Sequence, residues 1–163
     1  MKLVLASNNA KKLVEMQALF GPLGLELVSQ GALGIPEAEE PHVTFVENAL
    51  AKARHASGQA HEAAIADDSG LCVEALGGAP GVLSARYAAL FGEIKSDENN
   101  NRVLLERLRE LPPDPSGPRR ARFVSALVAV RSADDPEPLI GFGRWEGELL
   151  DAPRGTQGFG YDP

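Results

Sequence analysis

The sequence has a single cysteine, few aromatic residues and no long hydrophobic run. Cys72 is the only cysteine among 163 residues, so no internal disulfide can form, and we expect a reducing cytoplasmic environment. No apolar run is long enough to span a membrane, and the apolar stretch at the N-terminus is too short for a signal peptide. These scarcities argue against a disulfide-stapled secreted domain and against a membrane-spanning chain.

Positive charge is also scarce. Sixteen basic residues stand against 23 acidic ones, which gives a net charge of −7. Contacts to a nucleic-acid backbone need a basic surface, so we expect no nucleic-acid partner. Local lysines can still bind one small anion. The three histidines, at positions 42, 55 and 61, lack metal-ligand spacing and are expected at the surface.

What remains is typical of a soluble globular protein, with 44% hydrophobic and 24% charged residues. The length predicts one domain over residues 1–163, with two lobes. Pro112 to Pro115 is predicted to be a linker. The order of strands and helices predicts an α/β fold with a mixed sheet. The predicted segments are strands at 2–6, 25–28, 64–68, 73–76, 121–130 and 139–147, of which the last two form a hairpin, and helices beginning near residues 10, 45 and 97. Thr44 and Glu47 form a capping box at the second helix. Ser96 opens the third helix, whose predicted buried stripe is Val103, Leu104 and Leu108.

An apolar segment leads into two adjacent carboxylates, Asp67 and Asp68, followed by Ser69 and Gly70. This pattern predicts a buried strand that ends in a tight turn, with the acids at its tip. Carboxylates at the end of a strand, together with Glu39 and Glu40 of an acidic loop, are suitable oxygen ligands for Mg²⁺. The alternative is that the two aspartates only form a turn.

A second polar segment, Ser7 to Lys12, lies between the first strand and the first helix. Backbone amides at the start of a helix favour an anion, and Lys11 and Lys12 add positive charge, which predicts a phosphate site. The alternative is an ordinary N-cap, because Ser and Asn are common caps. Lys52 is unusual because it lies near the apolar side of the second helix. Its side chain either extends to solvent or faces an anion.

Five motifs occur in an order that resembles a known family. They are Ser-Asn-Asn-Ala-Lys-Lys, Thr-Phe-x-x-Asn-Ala, Ala-Asp-Asp-Ser-Gly-Leu, Gly-Gly-Ala-Pro-Gly-x-x-Ser-Ala-Arg-Tyr and Gly-Phe-Gly-Tyr-Asp-Pro. The chain resembles the Ham1/RdgB or inosine triphosphatase-like family, the pyrophosphatases of non-standard purine nucleoside triphosphates. The resemblance covers nearly all of the chain.

The resemblance implies a magnesium-dependent hydrolase that splits dITP, ITP or XTP into the monophosphate and pyrophosphate. It implies a homodimer with an elongated mixed sheet flanked by helices, and a central cleft between two lobes. By position, Asp68 would bind the metal and accept a proton, and Glu40, or its neighbour Glu39, would assist the metal. The substrate contacts would be Ser7, Asn8, Asn9, Ala10, Lys11, Lys12, Lys52, Ser69, Phe159, Gly160, Tyr161 and Asp162.

The chain departs from the family pattern after Pro163. Members of the family continue for several tens of residues, with a lysine and a Ser-His-Arg motif that contact the base. We therefore expect C-terminal elements of the family fold to be missing. A truncated, weakly active nucleotide-binding module is the alternative function. A phosphatase with an aspartate nucleophile is less favoured, because adjacent acids on a strand point to opposite sides.

Overall fold

The structure, a computed structural model, describes residues 2–112 and 119–163. The predicted linker lies, after Pro112, outside the described residues. The helices and strands are β1 (Lys2–Leu5), α1 (Ala10–Phe20), β2 (Glu26–Ser29), α2 (Phe45–Ala60), β3 (Ala64–Val73), α3 (Asp97–Arg109), β4 (Arg120–Val130) and β5 (Leu139–Glu148). Short 3₁₀ helices occupy Gly21–Leu23, Gly31–Leu33, Glu74–Leu76, Gly81–Arg86 and Ala88–Phe91.

The strands form one mixed sheet in the order β2-β1-β3-β4-β5. β1 lies between β2 and β3 and is parallel to both, with Leu5 opposite Ser29 on one side and Ile65 on the other. The strands of the predicted hairpin, β4 and β5, are neighbours. The α/β prediction is therefore confirmed, whereas the elongated outline and the central cleft stay predictions.

The described chain divides into two compact units. The first contains residues 2–68 and 125–142, and its central strands β1 and β3 are covered on both faces, whereas β5 is exposed. Side chains alternate along a strand, so neighbouring residues of β1 and β3 enter different clusters. One cluster packs around α2 and contains Val4, Ala6, Ala49, Ala53, Ala56, Ala64, Ala66, Ala126, Val128 and Val130. The other packs around α1 and contains Leu3, Leu5, Met16, Leu27 and Ile65.

The second unit contains residues 69–112, 119–124 and 143–163 and has a hydrophobic core of its own. Its buried residues are Leu71, Val73, Tyr87, Ala88, Val103, Leu104, Leu108 and Ala121. Val103, Leu104 and Leu108 are the predicted apolar stripe of α3. Ser96 caps that helix by accepting a hydrogen bond from the Asn99 amide at 3.0 Å. The predicted start of this helix is confirmed.

The sequence pattern predicted the start of α2 correctly, but the strand predicted at 73–76 is wrong. Thr44 is the N-cap of α2: its hydroxyl accepts from the Glu47 amide at 3.2 Å and lies 2.5 Å from the Glu47 carboxylate. The predicted strand at 73–76 is instead a 3₁₀ helix over Glu74–Leu76, which ends at Gly77 with a left-handed φ of 63°. In the described part of the chain, no helix combines the length and the apolar character that a membrane span requires.

Candidate active site

The two aspartates lie inside β3 and not at its end, so the prediction of a strand tip is wrong. β3 continues through Ser69 and Gly70 to Val73, because Leu71 and Val73 enter the core of the second unit. Gly70 permits a close approach: a Cβ atom there would lie 2.4 Å from the Gly81 carbonyl oxygen. The sequence of this segment favours a turn, but the segment is strand throughout and is buried except at the half-buried Ser69.

Strand alternation sends the two carboxylates to opposite faces of the sheet. Asp67 follows the face of Ile65, which packs around α1, and Asp68 follows the face of Ala66, which packs around α2. Each acid meets a lysine of the helix on its own side. Only 4% of Asp67 and 6% of Asp68 is exposed, so both charges depend on these partners.

On the α1 side, Lys12 Nζ lies 2.7 Å from Asp67 Oδ2. This contact joins the polar segment after β1 to the acidic pair, although 55 residues separate the partners in sequence. Backbone pairing supports the same arrangement, because the Ala6 amide donates to the Ile65 carbonyl at 2.8 Å. The structure therefore brings Lys12 and the acidic strand together.

On the α2 side, Lys52 lies between two carboxylates. Its ammonium group is 2.6 Å from Glu40 Oε1 and 3.4 Å from Asp68 Oδ1. Asp68 Oδ2 is buried and accepts no hydrogen bond from any described residue. Lys52 therefore pairs with two carboxylates of the protein and does not extend to solvent, and its contact with a phosphate stays a prediction.

Burial and charge act on this cluster in opposite senses. Burial raises the pKa of Asp68 above its ordinary value, and the positive charge of Lys52 and the side-chain amide of Asn48 only partly offset this. Burial lowers the pKa of Lys52, but Asp68 and Glu40 raise it more, so that its net pKa is above the ordinary value. At neutral pH Lys52 is therefore a cation, and the ionised Asp68 is a stronger base than an exposed aspartate.

The structure separates the two candidate glutamates. Glu40 is half-buried and contacts Lys52, whereas Glu39 is exposed. Across residues 2–112 and 119–163, no group of three or more His, Cys, Asp or Glu side chains is arranged to hold a metal ion. Among the described residues, Glu40 and Asp68 are the two carboxylates that contact Lys52 at this position.

The segment from Ser7 to Lys12 contains the N-cap of α1, which is Asn9. Asn9 Oδ1 accepts from the amides of Lys11 at 3.0 Å and Lys12 at 3.4 Å, and Ser7 Oγ accepts from the Asn9 amide at 3.1 Å. Asn8 reaches Glu37 at 3.3 Å. Asn8, Asn9, Ala10 and Lys11 are all exposed. The segment combines the cap with an accessible surface, so the cap does not exclude a phosphate site.

The other predicted substrate residues belong to the second unit. Ser69 is half-buried in β3. The Gly160 amide donates to Asp97 at 3.1 Å, and Asn101 donates to the Gly160 carbonyl at 2.9 Å. The Tyr161 hydroxyl donates to the Ser84 carbonyl at 2.7 Å. The segment Phe159–Asp162 is thus held by backbone and side-chain bonds within its own unit.

Burial affects the tyrosine near the end of this segment. It raises the pKa of Tyr161 well above the ordinary value, with smaller contributions from Tyr87 and Asp97, so the hydroxyl stays a hydrogen-bond donor. The Asp162 carboxylate accepts from the Phe159 amide at 3.0 Å. Tyr161 and Asp162 also border a mainly apolar cavity of about 250 Å³. The other residues that line it include Leu71, Leu104, Phe123 and Trp145.

Asn48 is a buried polar residue for which the sequence predicted no role, although it lies in the Thr-Phe-x-x-Asn-Ala motif. It is fully buried on α2, and its side chain pairs with both backbone groups of His42. A signal was present, because Asn48 lies three residues after Phe45 and next to Ala49, on the apolar side of the helix. A polar residue at such a position requires a buried partner.

Comparison with known proteins identifies the family of the chain. The sequence model of the Ham1 family matches residues 3–163. The chain belongs to the Ham1 family. The five ordered motifs therefore identified the family correctly.

Ham1 relatives match over the full length of this chain. A dITP/XTP pyrophosphatase from Methylibium petroleiphilum is 64% identical over 171 residues, which are 100% of this chain and 80% of the relative. A dITP/XTP pyrophosphatase from Polaromonas naphthalenivorans is also 64% identical, with the same coverage of both chains. This chain therefore spans about four fifths of the length of these relatives.

Solved Ham1 structures have the same fold. The HAM1 protein from Coxiella burnetii superposes with a TM-score of 0.88 at 44% identity, over 100% of this chain and 80% of that one. The Staphylococcus aureus Ham1 protein gives a TM-score of 0.80 at 37% identity, over 100% of this chain and 79% of that one. The fold prediction is confirmed at the level of the family.

Proposed function

We propose that this protein hydrolyses dITP, ITP, XTP and dXTP to the nucleoside monophosphate and pyrophosphate, removing them from the nucleotide pool. The single observation that carries the proposal is the buried Asp68 carboxylate, held beside Lys52 and Glu40. Support also comes from relatives at 64% identity that are named dITP/XTP pyrophosphatase. Hydrolysis of a nucleoside triphosphate requires a group that activates water and positive charge that binds the phosphates.

The residues on the α2 side fit a magnesium ion. Mg²⁺ is usually bound by one or two carboxylates and by substrate phosphates, and Glu40 and Asp68 provide two carboxylates. Asp68 Oδ2 is buried without a hydrogen-bond partner among the described residues, so it would be available to coordinate such an ion. Glu40 is proposed as the second protein ligand in preference to the exposed Glu39. A bound divalent ion supplies charge neutralisation to the phosphates and acidifies water.

Asp68 and Lys52 have different roles in the proposed reaction. Water attacks the α-phosphorus, the bond between the α-phosphorus and the bridging oxygen breaks, and pyrophosphate leaves. Asp68 accepts the proton of the attacking water, a role that its raised pKa favours. Lys52 remains protonated and stabilises negative charge that develops on the phosphates. The released proton is returned to solvent from Asp68.

Substrate binding is proposed for two further segments. Ser7, Asn8, Asn9, Ala10, Lys11 and Lys12 bind the triphosphate, with Lys11 exposed and Lys12 beside the acidic strand. Ser69 contacts the substrate, and Phe159, Gly160, Tyr161 and Asp162 bind the nucleoside. The bonds that fix Gly160 and Tyr161 within their unit support this role, because a preorganised segment loses less entropy when it binds.

We also propose that the protein is a cytoplasmic homodimer with neither nucleic acid nor membrane as a partner. The net charge of −7 supports the exclusion of nucleic acid. The homodimer and the location rest on the resemblance to the family and on the single buried cysteine. Light scattering of the purified chain gives the mass in solution and tests the dimer directly.

The function is tested by the products released from dITP and XTP in the presence of Mg²⁺. We expect pyrophosphate and the monophosphate from the wild-type chain. Asp68→Asn should lower the rate by about 10²- to 10⁴-fold, the usual contribution of a general base. Because burial disfavours the charged form of Asp68, the unfolding midpoint of this variant at pH 7 should not fall.

The products also separate the competing functions. Release of inorganic phosphate in place of pyrophosphate would indicate a phosphatase. Binding of dITP by the folded chain without any turnover would indicate the nucleotide-binding module. Either result would overturn the proposed activity.

A further inference from the structure

The side chain of Asn48 acts as a clamp on the acidic segment 36–42. Asn48 Oδ1 accepts from the His42 amide at 3.0 Å, and Asn48 Nδ2 donates to the His42 carbonyl at 3.1 Å. The residue is fully buried. One amide side chain therefore satisfies both backbone groups of a residue that lies six positions earlier, outside the helix.

This clamp lies next to the proposed metal ligand. Glu40 is two residues before His42, and Pro41 between them restricts the backbone. Lys52 lies one helical turn after Asn48, so the two side chains leave α2 on the same face. Asn48 holds the backbone at His42, and Lys52 holds the Glu40 carboxylate at 2.6 Å. A third contact, between His55 Nε2 and the Pro36 carbonyl at 2.9 Å, lies near the start of the segment.

We infer that Asn48 is a positioning residue, which fixes segment 36–42 on α2 so that the Glu40 carboxylate reaches Lys52 and Asp68. This inference rests on the proposed function, because Glu40 is a ligand only if a divalent ion binds there. A carboxylate on an untethered loop would have to be ordered each time a ligand binds. Outer partners that fix a ligand typically contribute about 10- to 100-fold in metal affinity.

The test is a double-mutant cycle of Asn48→Ala and Glu40→Gln in the full chain. Binding of Mn²⁺ is measured by EPR as a probe of the divalent site, and no turnover is needed. We expect each single variant to raise the half-saturating Mn²⁺ concentration by about 10-fold or more. If Asn48 acts through Glu40, the double variant should match Glu40→Gln within about twofold.

Hydrogen exchange gives a second readout that is independent of any metal. In Asn48→Ala, the His42 amide, which donates to Asn48 Oδ1 in the wild type, should exchange faster, whereas the amides of β3 should keep their protection. The inference would be overturned if the effects of Asn48→Ala and Glu40→Gln on the half-saturating Mn²⁺ concentration multiplied in the double variant. Unchanged Mn²⁺ binding in Asn48→Ala would also overturn it. If the wild type did not hydrolyse these nucleotides, the proposed function would be wrong. Mn²⁺ binding and hydrogen exchange would still test the role of Asn48.

The chain offers a matched control in Asn100. This residue is also buried, and its side chain also bridges two backbone groups, the Ala88 amide at 2.8 Å and the Ala85 carbonyl at 3.2 Å. It belongs to the second unit. Asn100→Ala loses the same bonds and should also lower stability, but it should leave the Mn²⁺ half-saturation within about twofold of wild type.

A further variant guards against a failure of Asn48→Ala to fold. Pro41 is exposed, so Pro41→Gly loosens the segment without disturbing the core. It should raise the half-saturating Mn²⁺ concentration in the wild-type background and add nothing in the Glu40→Gln background. If the loosened segment binds Mn²⁺ as the wild type does, positioning of Glu40 by this segment is excluded.

Discussion

At the scale of single residues, the acidic loop poses a choice between two adjacent glutamates. The loop lacks the regular spacing from which a helix or strand face could be read, so the sequence did not decide between Glu39 and Glu40. The structure favours Glu40, which is half-buried against Lys52, while Glu39 is exposed. The decisive contacts come from α2, which begins several residues later, and local patterns do not contain them.

This choice gives a prediction about magnesium dependence. Glu40→Gln should raise the Mg²⁺ concentration needed for half-maximal hydrolysis by about 10-fold or more, because a ligand charge is lost while the shape is kept. Glu39→Gln removes the same charge one residue away, in solvent, and should change that concentration by about twofold or less. Steady-state rates over a Mg²⁺ series measure both. Equal effects of the two variants would show that only the net charge of the loop matters.

The acids of β3 show what residue patterns can establish. That Asp67 and Asp68 point to opposite sides followed from the period of two along a strand, and the lysine partners confirm it. Lys52 stood out because it was a charge near an apolar helix face. Which acid each lysine meets depends on the side of the sheet that each helix covers, and this is a tertiary property.

At the scale of elements, β3 shows where local propensity is overridden. Asp, Asp, Ser and Gly in succession favour a turn, because their side chains can bond the nearby backbone. Two lysines from α1 and α2 stabilise the carboxylates, and Leu71 and Val73 gain burial when the strand continues. By contrast, α2 and α3 began where their Thr and Ser caps predicted, because capping is a local interaction.

The connection between β4 and β5 gives a prediction about stability. The Asp135 carboxylate is buried and accepts four hydrogen bonds, from the Arg131 amide, two guanidinium nitrogens of Arg131 and the Glu137 amide. The Arg131 side chain and these amides lower the pKa of Asp135 well below its ordinary value of 3.8. We expect Asp135→Asn to lower the urea midpoint at pH 7.

The sign of the pH dependence follows from the lowered pKa of Asp135. Above the ordinary value the carboxylate is charged in both states, and its stabilisation is fully present. As the pH falls below about 3.8, the unfolded state takes up the proton first and the stabilisation is lost. The difference between wild type and Asp135→Asn should therefore narrow from pH 7 to pH 3. The exposed neighbour serves as a control, and an equal loss in Asp134→Asn would contradict the assignment.

At the scale of the whole molecule, five motifs in order identified the family, and the solved structures share its fold. No single motif would have been sufficient, because an Asp-Asp-Ser-Gly segment alone also fits a turn. The motifs lie in both compact units: the Ser7–Lys12 segment is in the first, and Phe159–Asp162 is in the second. The pattern that identifies the family is therefore spread along the chain. The full length of β3 and the contacts of Asn48 depend instead on tertiary packing, which local patterns do not contain.

Ligand binding should be visible in the thermal stability of the whole chain. A ligand that binds only the folded state at about 100 times its Kd stabilises it by about 2.7 kcal/mol. For a chain of this size, that corresponds to a rise in Tm of about 5–10 °C. We expect such a rise with Mg²⁺ and a non-hydrolysable α,β-imido analogue of dITP, and we expect EDTA to reverse the metal-dependent part.

Two comparisons decide whether this rise reports on the proposed site. In Asp68→Asn, the part of the shift that depends on Mg²⁺ should be largely lost, because one of two protein carboxylates has been neutralised. A salt control at equal ionic strength removes general screening effects. If Asp68→Asn kept the full Mg²⁺-dependent shift, the ion would bind elsewhere, and the buried pair of Asp68 and Lys52 would have only a structural role.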